Sequence, residues 1–348
     1  MQNEPPYTIT VRSADYLAKI VETITRLEFG TEFKRNIKLH RKNRVRSIHS
    51  SLAIEGSSLT IGEVTAVIEG KLIAGQQAEI KEVKNAYEAY DKIMSFSPYA
   101  VEDFLKAHKL MTDGLVKESG QFRSGDVGVF DGDVVIHVGA RPQLVPQLIA
   151  DLLDWTKNSE LHPVLKSAIM HCEIETIHPF ADGNGRMGRL WQTLLLAKWN
   201  EIFAWIPMES VVYEKRPEYY QTLQNAQRAN DSSGFIEFTL SALLETIEQE
   251  AQRQVDLENS TAGDAGDKDR RLTEVLTEVL TEADLKKVHP ILDYLESQSS
   301  ITPQKARELT GKSAKTVWRY LNLLCEHGVL ESAGNTSAAK YHLKIQRE

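Results

Sequence analysis

Apolar residues recur every three or four positions along most of this chain, the period of a helix with one buried face. Leu17, Ile20, Val21, Ile24 and Leu27 form one such stripe and predict a helix over 13–27. A basic stretch from Lys34 to Arg46 follows and runs on through Ser50, Ser51 and Ile54, until Gly56 and the next serines end the helix. Thr60 or Ser58 caps a short helix carrying Val64, Val67 and Ile68, which Gly70 stops. Helical spacing returns over about 79–96, 101–115, 144–157 and 163–177, resumes after a polar loop as far as Trp199, and recurs over about 217–228 and 235–257.

Two stretches break this rhythm. Residues 120–142 are rich in Gly, Asp and Val; Val127–Phe130 and Val134–Val138, separated by Asp131-Gly132-Asp133, predict a β-hairpin. Residues 259–269 are small and polar and read as a linker. The repeat LTEVLTEVLTEA after it is either one amphipathic helix or a biased spacer. From about Leu285 the order is helix, helix, turn, helix and a β-wing, with a Thr302 cap, Pro303 at the first helical position and a turn at Gly311-Lys312.

A chain of 348 residues exceeds one ordinary core, so two or three domains are expected. Its 41% hydrophobic and 26% charged residues suit a globular protein, and a net charge of -8 argues against coating of DNA or anionic membrane by the whole molecule. Cys172 and Cys325 match neither a zinc-ligand spacing nor a disulfide framework. The first residues lack a basic stretch followed by an apolar one, and no apolar run approaches roughly 18 residues. These features predict a soluble cytoplasmic protein with no membrane partner.

The chemistry concentrates in twelve residues, His178-Pro179-Phe180-Ala181-Asp182-Gly183-Asn184-Gly185-Arg186-Met187-Gly188-Arg189. Glycines on both sides of Asn184, just before a helix, leave backbone N–H groups open to one point, at the positive end of the helix dipole. Arg186 and Arg189, three apart, fall on one face and complete an anion site for consecutive phosphates. Asp182 is a hard oxygen ligand suited to Mg²⁺, and His178 is an imidazole able to accept a proton near neutrality. Each feature alone is common; their joint occurrence in this order is specific.

The stretch resembles the signature of the Fic family, HxFx(D/E)GNGRxxR, at every specified position, and the resemblance extends over about residues 10–258. It implies a mainly α fold: a Fic-type helical core with a β-hairpin flap, plus a C-terminal winged helix-turn-helix domain. Domains are expected at 1–98 (N-terminal helical region), 99–258 (catalytic core), 259–284 (linker and repeat) and 285–348 (winged helix). The implied activity is transfer of AMP from ATP to a Ser, Thr or Tyr hydroxyl of a target protein. His178 would be the general base and Asp182 the Mg²⁺ ligand. Gly183, Asn184, Gly185 and Arg186 would hold the α- and β-phosphates, Arg189 the γ-phosphate, and Phe180 would anchor the loop. Gly183, where phosphorylating relatives carry lysine, favours AMP transfer.

Arg216, Tyr219, Tyr220 and Gln227 either border the adenine or, for the tyrosines, fill the core. The hairpin at about 127–138 is either a docking edge for the target protein or a structural hairpin. Ser51, Glu55 and Gly56 match the family's inhibitory pattern (S/T)xxxE(G/N), in which the glutamate would pair with Arg189 and deny it to the γ-phosphate. Residues 312–320, with Lys312, Lys315, Thr316, Arg319 and Tyr320, make the C-terminal region a candidate DNA contact, the alternative being a dimerisation or protein-docking module; a second copy of the chain is a further candidate partner. The competing functions are removal of AMP or another nucleotidyl or phosphoryl transfer at the same site, and a DNA-binding regulator with a nucleotide-sensing core.

Overall fold

Amphipathic helices that each bury one stripe must stack on one another, and the chain does so around a central pair. The computed structural model describes residues 4–30, 37–131, 134–253, 290–291, 294–295, 300–326, 329–333 and 339–343, in two compact units, Met1–Gln252 and Arg253–Glu348. The expected linker at 259–269 and the tetrapeptide repeat lie outside the described residues.

In the first unit α1 (Val11–Gly30), α2 (Ile37–Ile54), α3 (Ile61–Ile68), α4 (Gln77–Asp91) and α5 (Val101–Thr112) precede a hairpin of β1 (Gly128–Asp131) and β2 (Val134–Val138). Helices α6 (Val145–Asn158), α7 (Pro163–Ile177), α8 (Asn184–Trp199), α9 (Met208–Glu214), α10 (Arg216–Ala229) and α11 (233–253) follow. The two strands pair antiparallel from Gly128 opposite Val138 to Asp131 opposite Val134, with an irregularity between Val129 and Phe130.

Helices α7 and α8 are buried on nearly every side, which explains why their hydrophobic residues show no single stripe. Trp191 of α8 is fully buried, edge-on to Phe104 at 5.0 Å, and its indole N–H donates to the Pro98 carbonyl at 3.0 Å. A buried tryptophan needs such a partner for its one polar atom.

The basic stretch has an unexpected fate. Much of the polar face of α2 is sunk into the unit: Asn43, Arg44, Ser47, Ser50 and Ser51 are all buried. The Arg44 guanidinium lies over the rings of Trp205 (4.8 Å) and Tyr90 (5.5 Å), and Asn43 and Arg46 donate to Glu250 of α11 at 2.8 and 2.6 Å. Helix α9, absent from the sequence expectation, carries the buried Glu209, which accepts from Tyr90 Oη at 2.6 Å. Ser50 Oγ of α2 donates to Ser210 Oγ of α9 at 3.4 Å, so polar contacts with α9 and α11 hold α2 as well as its apolar residues.

The second unit contains α12 (Pro303–Thr310), α13 (Ala314–Glu326) and an antiparallel ladder of β3 (Leu330–Ala333) and β4 (Lys340–Leu343). Thr302 caps α12 by accepting from Lys305 N at 3.3 Å, and Gly311 at φ 62° ends it. Val317, Tyr320, Leu321 and Leu324 of α13 pack with Ile301, Leu330 and Tyr341 as its core. Cys172 is buried and Cys325 half-buried, both unpaired, and burial pushes both thiols up. Among the described residues, no helix is long and apolar enough to cross a membrane.

Candidate active site

Helix α7 ends where its backbone turns left-handed at His178 (φ 54°, ψ 62°), a conformation that is uncommon without glycine and persists only when its surroundings enforce it. Arg123 enforces it. Its buried guanidinium donates to the carbonyls of His178 (2.7 Å), Gly125 (2.8 Å), Ile177 (3.4 Å) and Ala140, while its own N–H reaches the Pro179 carbonyl at 3.1 Å. Ala140 N donates to Ile177 O at 3.2 Å, so the same cluster fastens the end of the hairpin to the His178 turn. The imidazole Nδ1 lies 3.2 Å from the Glu175 carbonyl. A carbonyl only accepts, so Nδ1 carries the proton and Nε2 is left with its lone pair.

The loop after His178 is anchored by Phe180, fully buried and stacked face to face on His108 at 3.6 Å, with Phe104 at 5.2 Å. Asn184 closes the loop from both ends: its Oδ1 accepts from Phe180 N at 2.8 Å and its Nδ2 donates to Phe180 O at 2.9 Å. The Asn184 side-chain amide is thereby committed to shaping the loop. His108 of α5 accepts the Gly120 N–H at Nδ1 (3.0 Å), so its Nε2–H donates to the Asp182 carbonyl at 3.0 Å. Burial lowers its pKa to about 4, which keeps the ring neutral and the tautomer fixed.

Gly183 takes φ 89° to swing the chain into α8, and the first intrahelical bond runs from Met187 N to Gly183 O at 2.9 Å. The N–H groups of Asn184, Gly185 and Arg186 therefore open the helix without an intrahelical acceptor. Asp182 Oδ1 accepts from Gly183 N (2.6 Å) and Arg186 (3.0 Å), while no hydrogen bond among the described residues engages Oδ2, and the side chain is 61% exposed.

The two guanidiniums of the motif have different partners. Arg186 is 4% exposed and points at Glu82 (3.1 Å) and Asp182. Arg189, fully buried, turns to α2: its Nε donates to Ser51 Oγ (3.1 Å), and one Nη donates to Ser51 O (3.0 Å) and Glu55 Oε1 (2.6 Å). Its other Nη is buried without a partner. Burial works against the Arg189 charge, but Glu55 and, more remotely, Tyr219 and Glu175 outweigh it and the net shift is upward.

Glu55 is presented by a helix end. Gly56 at φ 100° donates to Ala53 O (3.1 Å) and Ser57 N donates to Leu52 O (3.1 Å), the paired bonds of a Schellman turn, so the helix stops immediately after Glu55. The Glu55 carboxylate lies over Gly185, where a Cβ would strike it.

Glu55, Glu175, His178, Asp182, Gly185 and Tyr220 line one cavity of about 660 Å³. Gly183 and Asn184 also line it, as do Arg216 and Gln227 of α10, whereas Arg186, Arg189, Ser51 and Gly56 stand behind its wall. Tyr220 is 40% exposed and donates to Ile54 O at 3.1 Å, while Tyr219 is core, its hydroxyl bonded to Glu175 (3.2 Å) and 3.1 Å from His171 Nε2. Burial alone would raise the Glu175 carboxyl, but His171, His178 and Arg189 reverse this and its pKa falls. His108, Arg123 and Glu175 were missed by sequence reasoning. The only available signal was an arginine and a histidine at unremarkable spacing in flanking segments.

A family model described as Fic/DOC matches residues 98–196. A protein adenylyltransferase Fic of Nematostella vectensis is 30% identical over 212 residues, 58% of this chain and 47% of the relative. The Caenorhabditis elegans protein adenylyltransferase fic-1 is 26% identical over 191 residues, 51% of this chain and 36% of the relative. The chain thus spans less than half the length of these curated relatives. The crystal structure of a Fic family protein from Desulfovibrio desulfuricans G20 superposes with a TM-score of 0.69 at 34% identity, covering 99% of both chains. C. elegans Fic-1 gives a TM-score of 0.58 at 22% identity, over 72% of this chain and 73% of that one, a likeness of fold.

Proposed function

The chain belongs to the Fic family, and from that premise we propose that it transfers AMP from ATP to a Ser, Thr or Tyr hydroxyl of a target protein, with Glu55 as a built-in brake. The observation that carries this reading is the junction of an imidazole, its Nε2 lone pair free, with the open amide N–H groups of Asn184 and Gly185 at the rim of one cavity. Those amides bind α- and β-phosphate oxygens, where charge builds as the α-phosphorus is attacked. The target hydroxyl gives its proton to His178 Nε2 and its oxygen bonds to the α-phosphorus. The bond from that phosphorus to the β-phosphate oxygen breaks, and pyrophosphate leaves.

Asp182 fits Mg²⁺. Its Oδ2 is unengaged and exposed, and among the described residues no group of three His, Cys, Asp or Glu side chains forms a metal cage. One carboxylate oxygen with water and phosphate oxygens is the usual setting for that ion beside a nucleotide. When bound, it neutralises phosphate charge. Arg186, on the other oxygen of Asp182, keeps the carboxylate aimed.

The hairpin supports docking of the target segment, since each strand of a two-stranded ladder keeps one edge for a third. Two unpaired cysteines support a reducing, cytoplasmic setting. The brake reading rests on the Glu55–Arg189 pair, which holds the guanidinium that a γ-phosphate requires. Removal of AMP at the same site is the second reading, and the Glu55 carboxylate lining the cavity that His178 lines favours it. Mass spectrometry separates the two when lysate proteins and ATP are given to the Glu55→Gly variant and a premodified target protein is given to the parent chain, which keeps the carboxylate. Added AMP on a Ser, Thr or Tyr is expected, and loss of AMP from a premodified target without any addition would reverse the assignment.

A further inference from the structure

The second unit is not used by the proposed chemistry, and its exposed face has a chemistry of its own. Helix α13 buries Val317, Tyr320, Leu321 and Leu324 and leaves Lys315, Trp318 and Arg319 exposed on the other side, with Lys312 and Ser313 exposed in the turn before it. Trp318, at 60%, is the most exposed aromatic side chain among the described residues. Among the described residues, the core of the unit does not include Trp318.

The charge around it is one-sided. Residues 302–320 carry Lys305, Arg307, Lys312, Lys315 and Arg319 against a single acid, in a chain whose net charge is -8. That acid, Glu308, is already paired with Lys305 at 3.1 Å. The cationic side chains are also ordered: Arg319 lies over the Tyr320 ring at 5.4 Å, and Ser313 Oγ accepts from Thr316 N at 3.3 Å to fix the first turn of α13.

We infer that this unit binds duplex DNA, with α13 entering the major groove. The groove is about 12 Å wide and admits one helix. Lys315 and Arg319, one turn apart, face phosphates and purine edges. Trp318 between them supplies the apolar contact that a thymine methyl or a sugar edge accepts. The β3–β4 ladder, tied to Ile301 through its bridge with Tyr341, stands where a wing would follow the backbone. A protein-docking face would suit Trp318 and Arg319, residue types that such interfaces enrich, but not Lys312 and Lys315, which they deplete, so a protein ligand is kept as an outcome of the test.

The test is fluorescence anisotropy of the full chain with a labelled duplex of mixed sequence, about two helical turns long, titrated at several salt concentrations. Binding is expected near 10 µM at low salt, weakening steeply as salt rises, as phosphate contacts require. Lys315→Glu and Arg319→Glu should each weaken binding about tenfold and reduce the log–log salt slope by about one. Trp318→Ala should weaken it with the slope unchanged. Both charge variants alter exposed positions and should melt at the parent temperature. Absence of duplex binding at low salt, an unaltered affinity in the Lys315→Glu, Arg319→Glu double variant, or preference for anionic vesicles or a protein ligand over duplex would overturn the inference.

Discussion

If Glu55 is a brake, replacing it by glycine must act with opposite signs on the resting protein and on its γ-phosphate contact. The carboxylate reaches Arg189 through one bond of 2.6 Å, and while Arg189 is fully buried, the Glu55 side chain is 35% exposed. A fully buried pair costs about 3–5 kcal/mol to break from one side. Solvent screening at Glu55 and the two bonds that Ser51 still makes to Arg189 reduce this to about 1–2 kcal/mol. The resting protein should therefore lose a few degrees of melting temperature. The same guanidinium becomes available to the γ-phosphate, so the ratio of ATP to ADP affinity should rise about tenfold, the equivalent of about 1.4 kcal/mol. Calorimetry with ATP and with ADP isolates that contact, because the α- and β-phosphates are common to both. An unchanged ratio in Glu55→Gly, with both nucleotides still bound, would refute the reasoning.

Three further outcomes follow from the supporting residues. Arg123→Met strands three carbonyls, those of His178, Gly125 and Ala140, since Ile177 O keeps the Ala140 N–H; it should destabilise the protein by about 3 kcal/mol, seen as a lower urea midpoint, and should lower kcat more than it raises KM for ATP because His178 loses its orientation. His108 has a folded pKa of about 4, below its ordinary 6.5. The unfolded chain takes up the proton first, so the His108 contribution of about 3 kcal/mol, present above about pH 6.5, should decline as pH falls and be gone below about 4. Urea unfolding across that range should be less pH-dependent in His108→Gln. Asn184→Asp keeps an acceptor for Phe180 N but loses the donor to Phe180 O, so it should cost about 1–2 kcal/mol in thermal melts, and it should weaken ATP binding both through a looser loop and through a new negative charge beside the phosphate-binding amides.

Local rules made part of this molecule legible and long-range contacts hid the rest. The Thr60 cap is a full capping box with Glu63, while the other candidate, Ser58, instead binds Glu79. The two strands were visible as Val-rich runs around Asp131-Gly132-Asp133, and the arrest of α2 at Gly56 was visible as a glycine after polar residues. The helices of the second unit were announced by Thr302, Pro303 and Gly311. His178, Asp182, Gly183 and Gly185, all drawn from the motif, line one cavity.

The motif could not reveal that Asn184 braces the loop or that Arg186 faces Glu82, because those partners lie four and 104 positions away in a pattern that also suits phosphate binding. Arg123 and His108 were silent for the same reason. Their acceptors are backbone carbonyls, which leave no trace in side-chain sequence. The basic stretch of α2 carried no sign of burial in the sequence, since only folding brings Glu250, Tyr90 and Trp205 against it.

The central claim is that His178 removes the proton from the attacking hydroxyl, and one comparison tests it most directly. Glu55→Gly and Glu55→Gly combined with His178→Asn, a residue that also tolerates the left-handed backbone, are incubated with α-labelled ATP, and label on protein is counted per mole of bound nucleotide. The account predicts incorporation in the first and none above background in the second, at equal ATP affinity and equal melting temperature. Undiminished incorporation in the double variant would contradict it.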